Sequence, residues 1–220
     1  MELLEGIETR RSFRAFKKTA VPREIIDRIL RAASNSPSFC NTQPWEVAVV
    51  CGKKVEALSK ALCKLVESDN APTPDLPFPK NWPSQLERRL QEHHTQRSKV
   101  LGIERADDRE KKKTRLLNFH FYGAPCVLFL FLERSLSPWS IFDMGLFAEN
   151  IILAAHSFGL GSCLQALLAS YPDTIRSFFE MPKTKQLVLG ISIGYPNIEA
   201  RINAYKSVKI SHDDFTHWYI

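Results

Sequence analysis

The stretch RRSFRAF, Arg10–Phe16, and the turn PSFCNTQPW, Pro37–Trp45, decide how this chain is read. Three arginines and a serine (Arg10, Arg11, Ser12, Arg14) fall within five residues, directly after a short amphipathic segment at 2–9. Guanidinium groups hold oxyanions through paired N–H bonds, so this cluster can neutralise a phosphate and a second anionic group beside it. The second stretch is a turn of Pro, Ser, Asn and Gln. It runs into WEVAVVC, Trp45–Cys51, a short β-branched run that reads as a strand ended by Gly52.

Outward from these stretches the periodicity is mostly helical. Residues 2–9 form a short helix. Val21–Pro22 opens the next one, with Ile25, Ile26, Ile29, Leu30 and Ala33 making an apolar stripe. Lys53–Ser68 is amphipathic, with Val55, Leu58, Leu62, Leu65 and Val66 inward. Residues 69–83 hold five prolines, Pro72, Pro74, Pro77, Pro79 and Pro83, a composition that excludes a helix or central strand. A loop of that length in a compact domain is usually functional or mobile. Helices follow at about Ser84–Val100 and Arg105–Tyr122. CVLFLFL, Cys126–Leu132, is apolar on both faces and reads as a central strand. A long helix spans Trp139–Phe158. Gly159–Cys163 turns into a short strand, a short helix occupies Thr174–Phe179, and Lys185–Gly194 is another buried strand. From Tyr195 the chain is polar and extended, with a final short helix near Asp213–Tyr219. The expectation is one α+β domain over 1–220, a small mixed sheet surrounded by helices.

Composition bounds the function classes. The chain has 220 residues, 44% hydrophobic and 25% charged, enough for one substantial core. A net charge of +6 suits anionic ligands without arguing for nucleic acid, and the run REKKKTR, Arg109–Arg115, reads as a solvated helix face. The five cysteines, Cys40, Cys51, Cys63, Cys126 and Cys163, form no CxxC pair and no metal-ligand spacing, so a reduced cytoplasmic setting and no metal are expected. MELLEGIETR at the start has no apolar signal core. Trp139–Phe158 is interrupted by Asp143, Glu149, Asn150 and His156, which argues against a membrane span. GISIG, Gly190–Gly194, matches G-x-S-x-G, but Ser192 lies inside a continuing apolar strand rather than at a strand–helix turn, so a serine hydrolase is not expected. No GxGxxG or P-loop occurs, so a Rossmann-type nicotinamide site has no support.

The basic stretch and the P-S-x-x-N-x-Q-P-W turn together resemble the nitroreductase family of FMN-dependent oxidoreductases. Nearly the whole chain shares the resemblance. It implies a homodimer with FMN at the interface and a domain-swapped C-terminal tail, about 195–220. It also implies a lid over about 70–104. Arg10, Arg11 and Ser12 would contact the flavin phosphate and ribityl chain, and Arg14 the pyrimidine edge, where a fixed cation favours the reduced state. Pro37, Ser38 and Phe39 of one subunit would cover the flavin of the other, with the Asn41 and Gln43 amides bonding at the flavin edge or the dimer seam, or else building the turn. Trp45 is read as core. GLGSCLQAL, Gly159–Leu167, resembles the segment that passes the flavin N5 atom, placing Leu164, Gln165 and the backbone of Ala166 there, with the two glycines allowing close approach. Better-known members carry Glu-Gly where Ala166–Leu167 stand, a change that a backbone contact survives. GYPN, Gly194–Asn197, and INAYKSVKI, Ile202–Ile210, resemble the closing motif, with Lys209 in place of an arginine and Lys206 nearby; lysine keeps the charge but loses the fork. Asp143, in FDMG, is read as structural.

The implied activity is transfer of electrons from NADH or NADPH through flavin N5 to nitroaromatic, quinone or similar flat acceptors by a ping-pong mechanism. LLNFHFYGAP, Leu116–Pro125, resembles nitrobenzoate-type members. The alternatives are reductive dehalogenation or other flavin chemistry on the same fold, or a non-catalytic FMN-binding protein. Phe78, Trp82 and Arg88 are candidates for substrate contact. His93, His94, His120 and His156 show no partner at catalytic spacing, so no proton donor is identified.

Overall fold

In the computed structural model, which describes residues 2–102 and 107–220, the apolar runs become four strands. They are β1 (Glu46–Cys51), β2 (Cys126–Glu133), β3 (Gly161–Gln165) and β4 (Lys185–Gly194), in the order β1-β2-β4-β3. Around them lie α1 (Leu3–Thr9), α2 (Arg23–Ala33), α3 (Lys53–Glu67), α4 (Ser84–Leu101), α5 (Asp108–Phe119), α6 (Trp139–Ser157) and α7 (Pro172–Phe179).

Strand β2 explains the layering. Successive side chains of a strand point to opposite faces. Val127, Phe129 and Phe131 enter one core with Leu58 and Leu62 of α3, Phe119 of α5 and Ile175 of α7. Cys126, Leu128, Leu130 and Leu132 enter the other, with Ile26 and Ile29 of α2 and Phe147 and Ile151 of α6. The result is helix, sheet, helix. Burial of each large side chain contributes about 1.5–3 kcal/mol, which is why a strand with no polar face sits at the centre.

Among the described residues the four named strands pair antiparallel, and the parallel pairing a mixed sheet calls for is confined to the Ser12–Ser162 bridge at the edge of β3. The helices between β1 and β2 leave and return at the same end, where Cys51 faces Cys126 and the Gly52 N–H reaches the Pro125 carbonyl at 3.2 Å. Helix α6 crosses from β2 to β3, and β4 inserts antiparallel between those two. The expected helix near Asp213–Tyr219 is a single 3-10 turn at His212–Asp214. So short a segment has no stability of its own without a surface to pack on. The expected helix start at Arg105 lies outside the described residues; α5 begins at Asp108, with the Asp107 carboxylate accepting from the Glu110 N–H at 2.8 Å.

The proline-rich loop is tied down in its middle. The Thr73 N–H donates to the Ser170 carbonyl at 2.9 Å. Asp75 accepts from Arg176, from Arg134 Nη2 at 2.7 Å and from the Leu187 N–H at 2.8 Å. Among the described residues no helix is long and apolar enough to cross a membrane, and no cluster of three metal-ligating side chains occurs.

Candidate active site

The basic stretch runs along the outer edge of β3. Ser12 bridges Ser162, the Phe13 N–H donates to the Ser162 carbonyl at 2.9 Å, and Phe16 bridges Pro196. Asn203, a residue the sequence reading passed over, locks this path. Its side chain is almost fully buried. Oδ1 accepts from the Arg14 N–H at 2.6 Å, and Nδ2 donates to the Ala15 carbonyl at 2.9 Å and the Asn197 carbonyl at 2.8 Å. One amide thus ties the closing motif to the basic stretch. Only its position between two motifs could have marked it.

Gly161 serves the same packing. A Cβ there would stand 2.8 Å from Phe13 Cδ2, so the close approach it permits is that of the Phe13 ring. Gly159 has φ +71 and closes the turn after α6.

The polar ends of the stretch converge on a cavity of about 110 Å³ lined by Arg10, Arg11, Ser12, Arg14, His93, Tyr205, Ser207 and Lys209. Ligand pockets for whole cofactors run to roughly 300–1,000 Å³, so this is room for a phosphate. Arg10 also faces Glu149 of α6 at 3.6 Å, and the Arg11 guanidinium lies 4.8 Å from the Phe13 ring centre. Lys206 is exposed and not part of the lining. His93, Tyr205 and Ser207 were not foreseen at this cavity.

Arg14 also acts electrostatically on the buried Tyr122 phenol. Tyr122 donates to Asn118 Oδ1 at 2.9 Å. The Gln165 amide donates to the Asn118 carbonyl at 3.1 Å and accepts from Ser192 at 2.5 Å. The Gln165 side chain is therefore spent inside the fold, while Leu164 and Ala166 are exposed on either side of it. Ser192 lies buried within β4, its hydroxyl given to Gln165. Burial, ahead of the Cys163 charge, pushes the Tyr122 phenol up.

Helix α4 presents Arg89, His93, Arg97 and Val100 as its partly buried stripe. Arg88 is exposed and off that stripe, Trp82 is exposed and Phe78 is partly buried. The i, i+4 spacing of Arg89, His93 and Arg97 was the signal that separates them from Arg88. Nε and Nη2 of Arg97 are buried with no hydrogen-bond partner. Arg97 and Arg14 both act electrostatically on Tyr122, Cys163 and His93.

The turn Pro37–Trp45 packs elsewhere, on α6. The Phe39 N–H donates to the buried Asp143 carboxylate at 3.1 Å, which ties the turn to α6. Ser38 Oγ accepts from the Gln43 N–H at 2.9 Å, and Gln43 Nε2 reaches the Asn41 carbonyl at 3.4 Å. Cys40, Asn41 and Gln43 take positive φ. Trp45 stacks on Phe147 at 4.6 Å, in the core. Phe39 is exposed and stacks on Trp139 at 6.4 Å.

A sequence profile for the nitroreductase family matches residues 7–195. This chain belongs to the nitroreductase family. It is 31% identical over 216 residues to 4-nitrobenzoate reductase of Pseudomonas putida, covering 96% of this chain and 93% of that protein. It is 33% identical over 201 residues to nitroreductase NfnB of Mycolicibacterium smegmatis, covering 91% and 85%. The crystal structure of the FMN-dependent NfnB from Mycobacterium smegmatis, in complex with NADPH, superposes with a TM-score of 0.94 at 31% identity, covering 99% of this chain and 97% of that one. The α+β nitroreductase fold is therefore established for this chain.

The residues present fit FMN. The phosphate-sized cavity carries fixed cations from two distant parts of the chain, the N-terminal stretch and Lys209, and a neighbouring guanidinium has two buried nitrogens without partners. Both features call for an anion.

Proposed function

We propose that this protein is an FMN-dependent nitroreductase driven by NAD(P)H. The observation that carries the reading is the phosphate-sized basic cavity beside the exposed edge Leu164–Ala166, in a chain of this family. FMN, when bound, supplies a ring that accepts two electrons from NAD(P)H and passes them to a nitroaromatic or similar flat acceptor in alternating half-reactions.

The residues do the rest. Arg10, Arg11, Ser12 and Lys209 would hold the phosphate and ribityl chain. Arg14, whose main chain is held by Asn203, would set a positive charge at the pyrimidine edge, which favours the reduced ring. The main chain of Leu164–Ala166 would pass the N5 side, and the inward-turned Gln165 holds that main chain still. Helix α4 would close over the ring and exclude water, hinging beyond the anchored Asp75.

The assembly is proposed as a homodimer with an exchanged tail. Supporting it are the open edge of β1, where Val49 is exposed, and an uncovered aromatic patch of Phe39, Trp139 and Phe142. The tail itself exposes Val208, Phe215, Trp218, Tyr219 and Ile220. Pro37–Phe39, which pack on α6 and do not line the basic cavity, would then cover the partner's flavin. The unpaired thiols fit a reducing, cytoplasmic setting.

The test is direct. Purified protein should be yellow and release FMN on heating. Under anaerobic conditions NADPH should bleach it, and 4-nitrobenzoate should restore the colour. A flavin that binds but stays oxidised with both NADH and NADPH would refute catalysis and leave a binding protein.

A further inference from the structure

His93 is the one ionisable group at the cavity whose charge can change near neutral pH. It comes from α4, not from the stretches that carry the family resemblance. Its Nδ1 lies 2.8 Å from the Tyr205 hydroxyl, and the two rings meet edge to face at 5.2 Å. This pairing holds in either protonation state, since the hydroxyl donates to a neutral ring and accepts from a charged one. Nδ1 is thus occupied while Nε2 remains for a ligand in the cavity.

The charged side chains that line the cavity or act on His93 are basic. Arg10, Arg11 and Arg14 come from the N-terminal stretch, His94 and Arg97 from α4, and Tyr205 and Lys209 from the tail. The Glu149 carboxylate of α6 stands 3.6 Å from Arg10 and is paired with it. Burial first, then His94, Arg14, Arg97 and Lys209, hold the imidazole below its ordinary range, so without an anion it is neutral. A dianionic phosphate reverses the local field and favours the charged ring.

We propose that His93 is a phosphate ligand that binds in its protonated form, so that the flavin phosphate enters together with a proton and draws α4 onto the site. The neutral ring, accepting from Tyr205 at Nδ1, carries its hydrogen on Nε2; the proton from solvent adds at Nδ1, which then donates to the hydroxyl, and the imidazolium pairs through Nε2–H with a phosphate oxygen. The proposal rests on the FMN reading above. By linkage, uptake occurs between the lower pKa of the free site and the higher pKa of the occupied one. Affinity is greatest below that window and falls as pH rises through it.

The experiment is calorimetric titration of flavin-free protein with FMN at about pH 7.5, in two buffers of different ionisation enthalpy. There the phosphate is already largely dianionic, its second pKa being about 6, so proton uptake reports the protein. Wild type should take up as much as about one proton per site. His93→Gln should take up none, and should bind FMN about tenfold more weakly at about pH 6.5 but within about twofold at about pH 9. The exposed neighbour change His94→Gln should keep the uptake. Riboflavin, which lacks the phosphate, should bind without uptake, whereas inorganic phosphate should bind weakly with it. Tight FMN binding without proton uptake, or equal uptake with riboflavin or in His93→Gln, overturns the proposal alone. Failure of wild type to bind FMN at all overturns the flavin reading, and the proposal with it.

Discussion

Asp75, in the middle of the proline-rich loop, forms a buried ion pair with Arg176 of α7. Arg134 and the Leu187 N–H complete the carboxylate's shell, and Arg176 also holds Asp173 at 2.8 Å and the Lys185 carbonyl at 3.0 Å. With the Asn70 and Thr73 bonds to Tyr171 and Ser170, the loop is anchored from Asn70 through Asp75, and what moves must lie beyond that point. Asp75→Asn leaves a buried guanidinium short of its counter-charge and should cost about 3–5 kcal/mol in urea unfolding. An unchanged midpoint would mean the loop contributes nothing to the fold.

The same pair gives an acid limit. Burial would raise the Asp75 carboxyl, but hydrogen bonds from Arg176, Arg134 and the Leu187 N–H outweigh it and hold it below the carboxylate range. Its contribution is then fully present above about pH 4, the unfolded value, and is lost as pH falls through the lower folded one. Stability against pH should fall less steeply in Asp75→Asn than in wild type below about pH 4.

Asn203→Ala removes the clasp between the closing motif and the basic stretch. Three backbone groups lose their partner, and the cost should be about 2 kcal/mol. Because Arg14 is then free to move, FMN affinity measured by flavin fluorescence quenching should fall about tenfold, beyond what partial unfolding explains.

Gly161→Ala places a methyl against the Phe13 ring and should destabilise by about 1–3 kcal/mol. Adding Phe13→Leu should recover part of the loss, since a smaller side chain relieves the clash. If the double variant is no better than the sum of the singles, the contact is not the cause.

Removal of residues 212–220 tests the assembly. The truncated chain should run at monomer mass by light scattering and lose thermal stability, while full-length protein runs at twice that mass. A full-length monomer would refute the exchanged tail.

Much of this molecule was legible from its residues alone. The strand CVLFLFL announces its central place because no face of it is polar. The helices announce themselves through stripes such as Ile26, Ile29 and Ala33. The basic stretch marks an anion site by charge density, and the turn at Pro37 marks its family by the residue types its positive-φ backbone tolerates. These are local properties, set by side-chain chemistry and by periods of two and 3.6 residues. Tertiary structure alone decided which of several equivalent groups face the site. It turned Gln165 inward and Arg88 outward, set Gly161 against Phe13, and brought Asn203 to Arg14 and His93 to Tyr205 across more than a hundred residues of chain. Such pairings depend on the rotation of each helix and the register of each strand. Those are chosen by packing of the whole core, and no short window of sequence contains them.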